Sequence, residues 1–171
     1  MIYASFLASL LTLIIYMIVI IRKSGLPTSI SETYYRIVHR NWFTFVILIA
    51  AFCILPVAFE ASTENTRFLI FLAVAGMALV ALAPNFAKGE KSERIAHYTG
   101  ASMLLVFSQF WVYYNMKWIL LLWAAYLAYI IYGLVKSEEA SLYDSLVRLK
   151  AMFWAEVTLI LTTYTAILIR L

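Results

Sequence analysis

Apolar residues fall into six long runs, at about residues 2–21, 42–59, 68–86, 95–114, 116–135 and 151–169. Each run holds about 18–20 residues, which as a helix reaches about 27–30 Å, the thickness of a bilayer's hydrocarbon layer. The pattern predicts an all-α integral membrane protein, a six-transmembrane-helix bundle that takes up residues 1–171 as a single domain.

The polar positions between the runs assign a direction. Ten of the thirteen Lys and Arg residues lie in three alternating segments: Arg22, Lys23, Arg36 and Arg40, then Lys88, Lys91 and Arg94, then Lys136, Arg148 and Lys150. The other side receives Arg67, Lys117 and Arg170. Basic residues beside membrane spans stay in the cytoplasm, so both termini are expected outside. The expected location is a plasma membrane such as a bacterial inner membrane. The first run has its charges after it, not before, and reads as a retained span and not a removable signal.

The short outer segments, 61–67 and 115–117, make runs two and three, and runs four and five, antiparallel neighbours. Two inner segments carry helix signals of their own. In 28–41, Ser29 and Glu32 fit a capping box, and Ile30, Tyr34 and Ile37 recur at helical spacing after Gly25 and Pro27. In 141–150, Ser141 and Asp144 open a helix with Leu142, Leu146 and Leu149 on one stripe, running on into the sixth span. Two short cytoplasmic interfacial helices are therefore expected. The two segments also align: Ser29, Glu32, Arg36 and Trp42 match Ser141, Asp144, Arg148 and Trp154, with Glu90 and Arg94 as a partial third copy. Membrane helices that begin acidic and continue basic converge on this order for dipole reasons, and the interval between matched arginines is uneven.

Composition removes whole classes of function. At 65% hydrophobic and 13% charged, the chain cannot be a soluble domain, where about 25% is charged. The net charge of +4 is read as anchoring beside anionic lipid, and no nucleic-acid partner is implied. Cys53 is the only cysteine and reads as a small hydrophobe.

Few residues at membrane depth carry chemistry, and each is a candidate for that reason. Glu156 is the sharpest, able to hold a cation, a proton or a polar headgroup, with a structural hydrogen bond to a neighbouring helix as the competing reading. His97 heads one polar face of the fourth run with Ser108, Trp111 and Asn115, while Tyr98, Ser102 and Gln109 share an adjacent one. Gly100 and Ala101 permit close helix approach, and the small residues of the third run place it centrally. Pro84 is expected to free a backbone carbonyl beside Asn85. The residues around Trp111–Trp118 suit an outer aromatic belt, whereas Trp123, Tyr126 and Tyr129 lie deeper and need polar partners. The expected ligand site is an inner-leaflet pocket between the third, fourth and sixth runs, lined by Asn85, His97, Tyr98 and Glu156 with Ser102 and Thr163.

Two histidines in the chain are too few for a metal-dependent hydrolase, and a haem is conceivable only through His39 and His97. No cofactor is expected. The reading that remains is a membrane protein binding a lipid, an apolar small molecule or a membrane partner, a second copy included, without evident chemistry. A neutral-solute channel or carrier, and a lipid-modifying intramembrane enzyme, are the alternatives.

Overall fold

The computed structural model describes residues 1–139 and 141–171, and among them every regular element is helical. Seven α-helices follow one another: α1 (Ile2–Ser24), α2 (Asn41–Glu60), α3 (Arg67–Leu82), α4 (Lys91–Met116), α5 (Leu121–Val135), α6 (Leu142–Arg148) and α7 (Ala151–Arg170). Three 3₁₀ turns, Ser31–Tyr35, Glu64–Thr66 and Lys117–Leu120, join them. Five helical stretches are long and apolar enough to cross a membrane: α1, α2, Glu64–Leu82, Lys91–Val135 and α7.

The fourth stretch is not straight. Met116 takes an extended φ of −157°, and Trp123 Nε1 donates to Gln109 Oε1 at 2.8 Å. Those two residues would be about 21 Å apart along one continuous helix. Lys91–Val135 is therefore a hairpin, α4 running one way and α5 returning.

α1 packs on α2, α2 on α3 and α3 on α4, while α7 lies against both α4 and α5. Tyr164 of α7 also reaches α1: its hydroxyl is 2.6 Å from Ser9 Oγ, which donates to Ala50 O of α2 at 2.8 Å. The α3–α4 seam is the tightest. A methyl group built on Gly76 would fall 2.5 Å from the Gly100 carbonyl oxygen and 2.7 Å from the Leu104 nitrogen. These glycines let two backbones touch, as the small residues of the third run lead one to expect.

Several elements depart from the sequence reading. α3 stops at Leu82, short of residue 86, because Pro84 has no N–H to offer the Val80 carbonyl. The expected interfacial helix over 28–41 is instead the single turn Ser31–Tyr35. α6 forms and is capped by Ser141 Oγ, which accepts from Asp144 N–H at 3.0 Å. It does not continue into α7, because Lys150 between them is left-handed, with φ 55°. Leu142 is 66% exposed, whereas Leu146 and Leu149 are half-buried and Ser145 beside them is buried, so the leucine stripe faces the bundle only in its later part. The aligned segments share no fold either: one is a 3₁₀ turn, one an α-helix, and the partial copy is the first turn of α4. Arg36 pairs with Glu32 at 2.9 Å whereas Arg148 pairs with Glu139 at 3.3 Å.

Candidate functional site

The six candidate residues do not form one pocket. Five of them divide among three clusters, each assembled for a visible physical reason, and Ser102 lies on the open flank of α4.

Glu156, in the second turn of α7, is occupied with the 3₁₀ turn. Its carboxylate accepts the N–H groups of Ile30 and Ser31, the first orphan donors of that turn. Phe153 N–H donates to Thr28 O at 2.9 Å, fastening the same segment. The expected capping box is offset by one residue. Ser29 Oγ accepts from Glu32 N–H at 3.0 Å, but the Glu32 carboxylate turns back to Thr28, taking its N–H at 2.6 Å and its hydroxyl. Arg36 adds two bonds to Glu32, at 3.0 and 2.9 Å, and donates to Ser24 O at 3.0 Å. Partial burial pushes the Glu32 carboxyl up, yet the Thr28 and Arg36 donors outweigh it and hold the group below its ordinary range. Tyr16 of α1 meets the buried Thr33 hydroxyl at 2.7 Å. One turn thus ties α1 to α7.

His97, Asn85 and Tyr98 do meet, around Phe86. The His97 ring is buried, its Nδ1 lies 2.9 Å from Ala83 O, and it stacks on Phe86 with centroids 4.2 Å apart. A carbonyl only accepts, so Nδ1 carries the proton. His97 and Thr44, whose hydroxyl donates to Ala81 O at 2.9 Å, together satisfy two of the orphan carbonyls at the end of α3. Tyr35 OH donates to Asn85 Oδ1 at 3.4 Å and accepts from Ala87 N–H at 2.8 Å, so the 3₁₀ turn also holds the α3–α4 loop. His39 is exposed.

Thr163 belongs elsewhere, beside Gln109. That amide donates to Ser108 Oγ at 3.1 Å and Thr163 Oγ1 at 3.3 Å, and accepts from Trp123 Nε1 at 2.8 Å and Thr162 Oγ1 at 3.0 Å. All four of its hydrogen-bonding directions are used. Gln109 is therefore the hub of α4, α5 and α7, a role the sequence reading passed over; its signal was a lone amide deep in an apolar run. The deep aromatics find the partners they needed: Tyr126 OH donates to Ala151 O at 3.3 Å and Tyr129 OH to Leu149 O at 3.0 Å. Trp111, expected in the outer belt, is instead fully buried with Nε1 donating to Ser62 Oγ at 2.7 Å. Tyr113, Tyr114 and Trp118 stay exposed.

Two open grooves mark the surface. One is a shallow, nearly flat depression of about 480 Å³ on the flank of α4, lined by Tyr98, Thr99, Ser102, Met103, Val106 and Phe107 of that helix alone. It contains two of the expected site residues. The other, about 510 Å³, lies between the Lys117–Leu120 turn, the start of α5 and Leu161 and Thr165 of α7. Every buried side-chain nitrogen or oxygen among the described residues has a partner, and no three His, Cys, Asp or Glu groups there stand ready to hold a metal ion.

No protein-family model matches this chain, and neither does any curated protein or solved structure.

Proposed function

We propose that the chain is a six-span protein of a plasma membrane, both termini outside, that binds a lipid or another apolar ligand on the inner-leaflet flank of α4. The fold-back at Met116 supports six crossings, since it makes two antiparallel segments of the longest apolar stretch. The alternation of basic segments supports the orientation, which puts the start of α4 at the cytoplasmic surface.

One observation carries the ligand site. The groove along α4 mixes exposed hydroxyls, Tyr98 and Ser102, in the half of the helix nearest its N-terminus with Met103, Val106 and Phe107 about its middle. The polar groups deeper inside, Gln109, Thr162 and Thr163, are occupied with one another. Binding at the flank needs no rearrangement of that interior.

Native mass spectrometry of protein gently released from its own membrane tests this. A defined extra mass on each protomer, lost in Ser102→Trp where the indole fills the groove, is the expected result. A bare protomer, or an adduct that Ser102→Trp leaves untouched, overturns it.

A further inference from the structure

We infer that the ligand of the α4 flank is an anionic phospholipid of the inner leaflet, its phosphate held by Lys91 and Arg94 and an acyl chain lying in the Tyr98–Phe107 groove. The inference rests on the α4 reading above and names the ligand's chemistry.

The helical register makes the case. Positions 91, 95, 98, 102 and 106 follow steps of four and three, so they share one face of α4. That face reads Lys91, Ile95, Tyr98, Ser102, Val106, and all five residues are exposed. Arg94 stands one turn before Tyr98 and is exposed too. Apart from Ile95, which follows the first cation, the order from the helix start inward is cation, hydroxyl, hydroxyl, apolar side chain. A phospholipid lying along the helix offers phosphate, ester and hydrocarbon in the same order. Lys91 precedes Tyr98 by about 10 Å of helix and Val106 by about 22 Å, so charge and groove lie within one lipid's length.

Charge complementarity selects the anionic headgroup. Among the described residues neither Lys91 nor Arg94 is in an ion pair, whereas Arg36 and Arg148 are. The acidic groups of the same turn are directed elsewhere. Glu93, on the opposite side of α4 from the Lys91–Val106 face, accepts from the Asn85 N–H at 3.0 Å, and Glu90, at the N-cap, accepts from Ser92 Oγ at 3.5 Å. Two unpaired cations at the mouth of an apolar groove, in a leaflet carrying negative headgroups, are a headgroup site in the making.

The test uses the full chain in phosphatidylcholine liposomes carrying a trace of phosphatidylglycerol or phosphatidylcholine with a photoreactive acyl chain. Labelled peptides are then mapped, with the exposed aliphatic face of α1 (Leu7, Leu11, Ile14, Ile18) as the internal control. The expected result is phosphatidylglycerol label concentrated on Tyr98–Phe107 and falling about thirtyfold in Lys91→Gln/Arg94→Gln, as two basic residues near the surface weigh. Phosphatidylcholine label should be weaker there and unmoved by that variant. Equal labelling of α4 by both lipids, insensitive to the double variant, overturns the anionic headgroup and leaves the groove. Label no denser on α4 than on α1 for either lipid overturns the groove as well.

Discussion

α3 and α5 are almost equal in length, 16 and 15 residues, and both are strongly apolar, yet they are held by opposite means. α3 lies between α2 and α4 with six residues buried, and at Gly76 its backbone rests on that of α4. α5 buries Ile130 alone and reaches its neighbours through hydrogen bonds from Trp123, Tyr126 and Tyr129. In the membrane setting proposed above, the hydrophobic effect does not favour helix contact over lipid contact. Close packing and interhelical hydrogen bonds are what remain. The chain uses one for α3 and the other for α5.

Crowding the α3–α4 seam should therefore do the greatest damage. Gly76→Leu places a side chain against backbone that cannot move aside, and a loss of about 3 kcal/mol or more is expected. Thermal unfolding in mild detergent, followed by tryptophan fluorescence, measures it. A variant as stable as the parent would dissolve the contrast between the helices.

Gln109→Leu attacks the other side. It removes four hydrogen bonds, and a loss of about 1–2 kcal/mol is expected, in line with polar contacts between membrane helices. The sharper readout is local: hydrogen exchange should rise across Leu121–Val135 and stay unchanged across Arg67–Leu82. Equal acceleration in both helices would mean that they do not differ as described.

Glu156→Ala should cost less, about 1 kcal/mol, the usual effect of losing a helix N-cap. Its signature is faster exchange at Ile30 and Ser31 with α5 unaffected. The mildest effect comes from acid. The Glu32 carboxyl titrates below its ordinary range in the folded protein, so its contribution is complete above that range and is lost as pH falls through the lowered value. Limited proteolysis of residues 25–40 should accelerate below that point, and Glu32→Gln should remove the dependence. A cleavage rate flat from neutral pH to pH 3 in the parent (order of magnitude of the carboxylate range) would refute the linkage.

The six apolar runs were legible because hydrophobic length is a local property, and the glycine-rich seam because small residues in a membrane helix have few other uses. The turn at Ser31–Tyr35 was not legible as a turn. Ser29 and Glu32 gave a fair local signal for a helix start, but the carboxylate on Ile30 comes from Glu156, distant in sequence. Grouping Glu156 with His97 failed for a related reason. Each residue completes a helix or turn end that lies near it only in three dimensions. Asn85, His97 and Tyr98 do lie close together, because residues of the α3–α4 hairpin are neighbours by chain as well as in space. The left-handed Lys150 had no signal at all, since glycine or asparagine is the usual occupant of that conformation.

The dependence of the Ser31–Tyr35 turn on α7 also sets an order of events during synthesis. The turn's donors, Ile30 and Ser31, leave the ribosome long before Glu156 does, as Ser9 does before Tyr164 and Ala61 before Arg170, whose guanidinium donates to the Ala61 carbonyl at 2.7 Å. α1 to α4 can pair as they emerge, but their exposed polar ends stay unanswered until the final helix arrives. A nascent chain arrested before α7 would present those open ends to the cell's quality-control machinery, and completion of the last helix would withdraw them all at once.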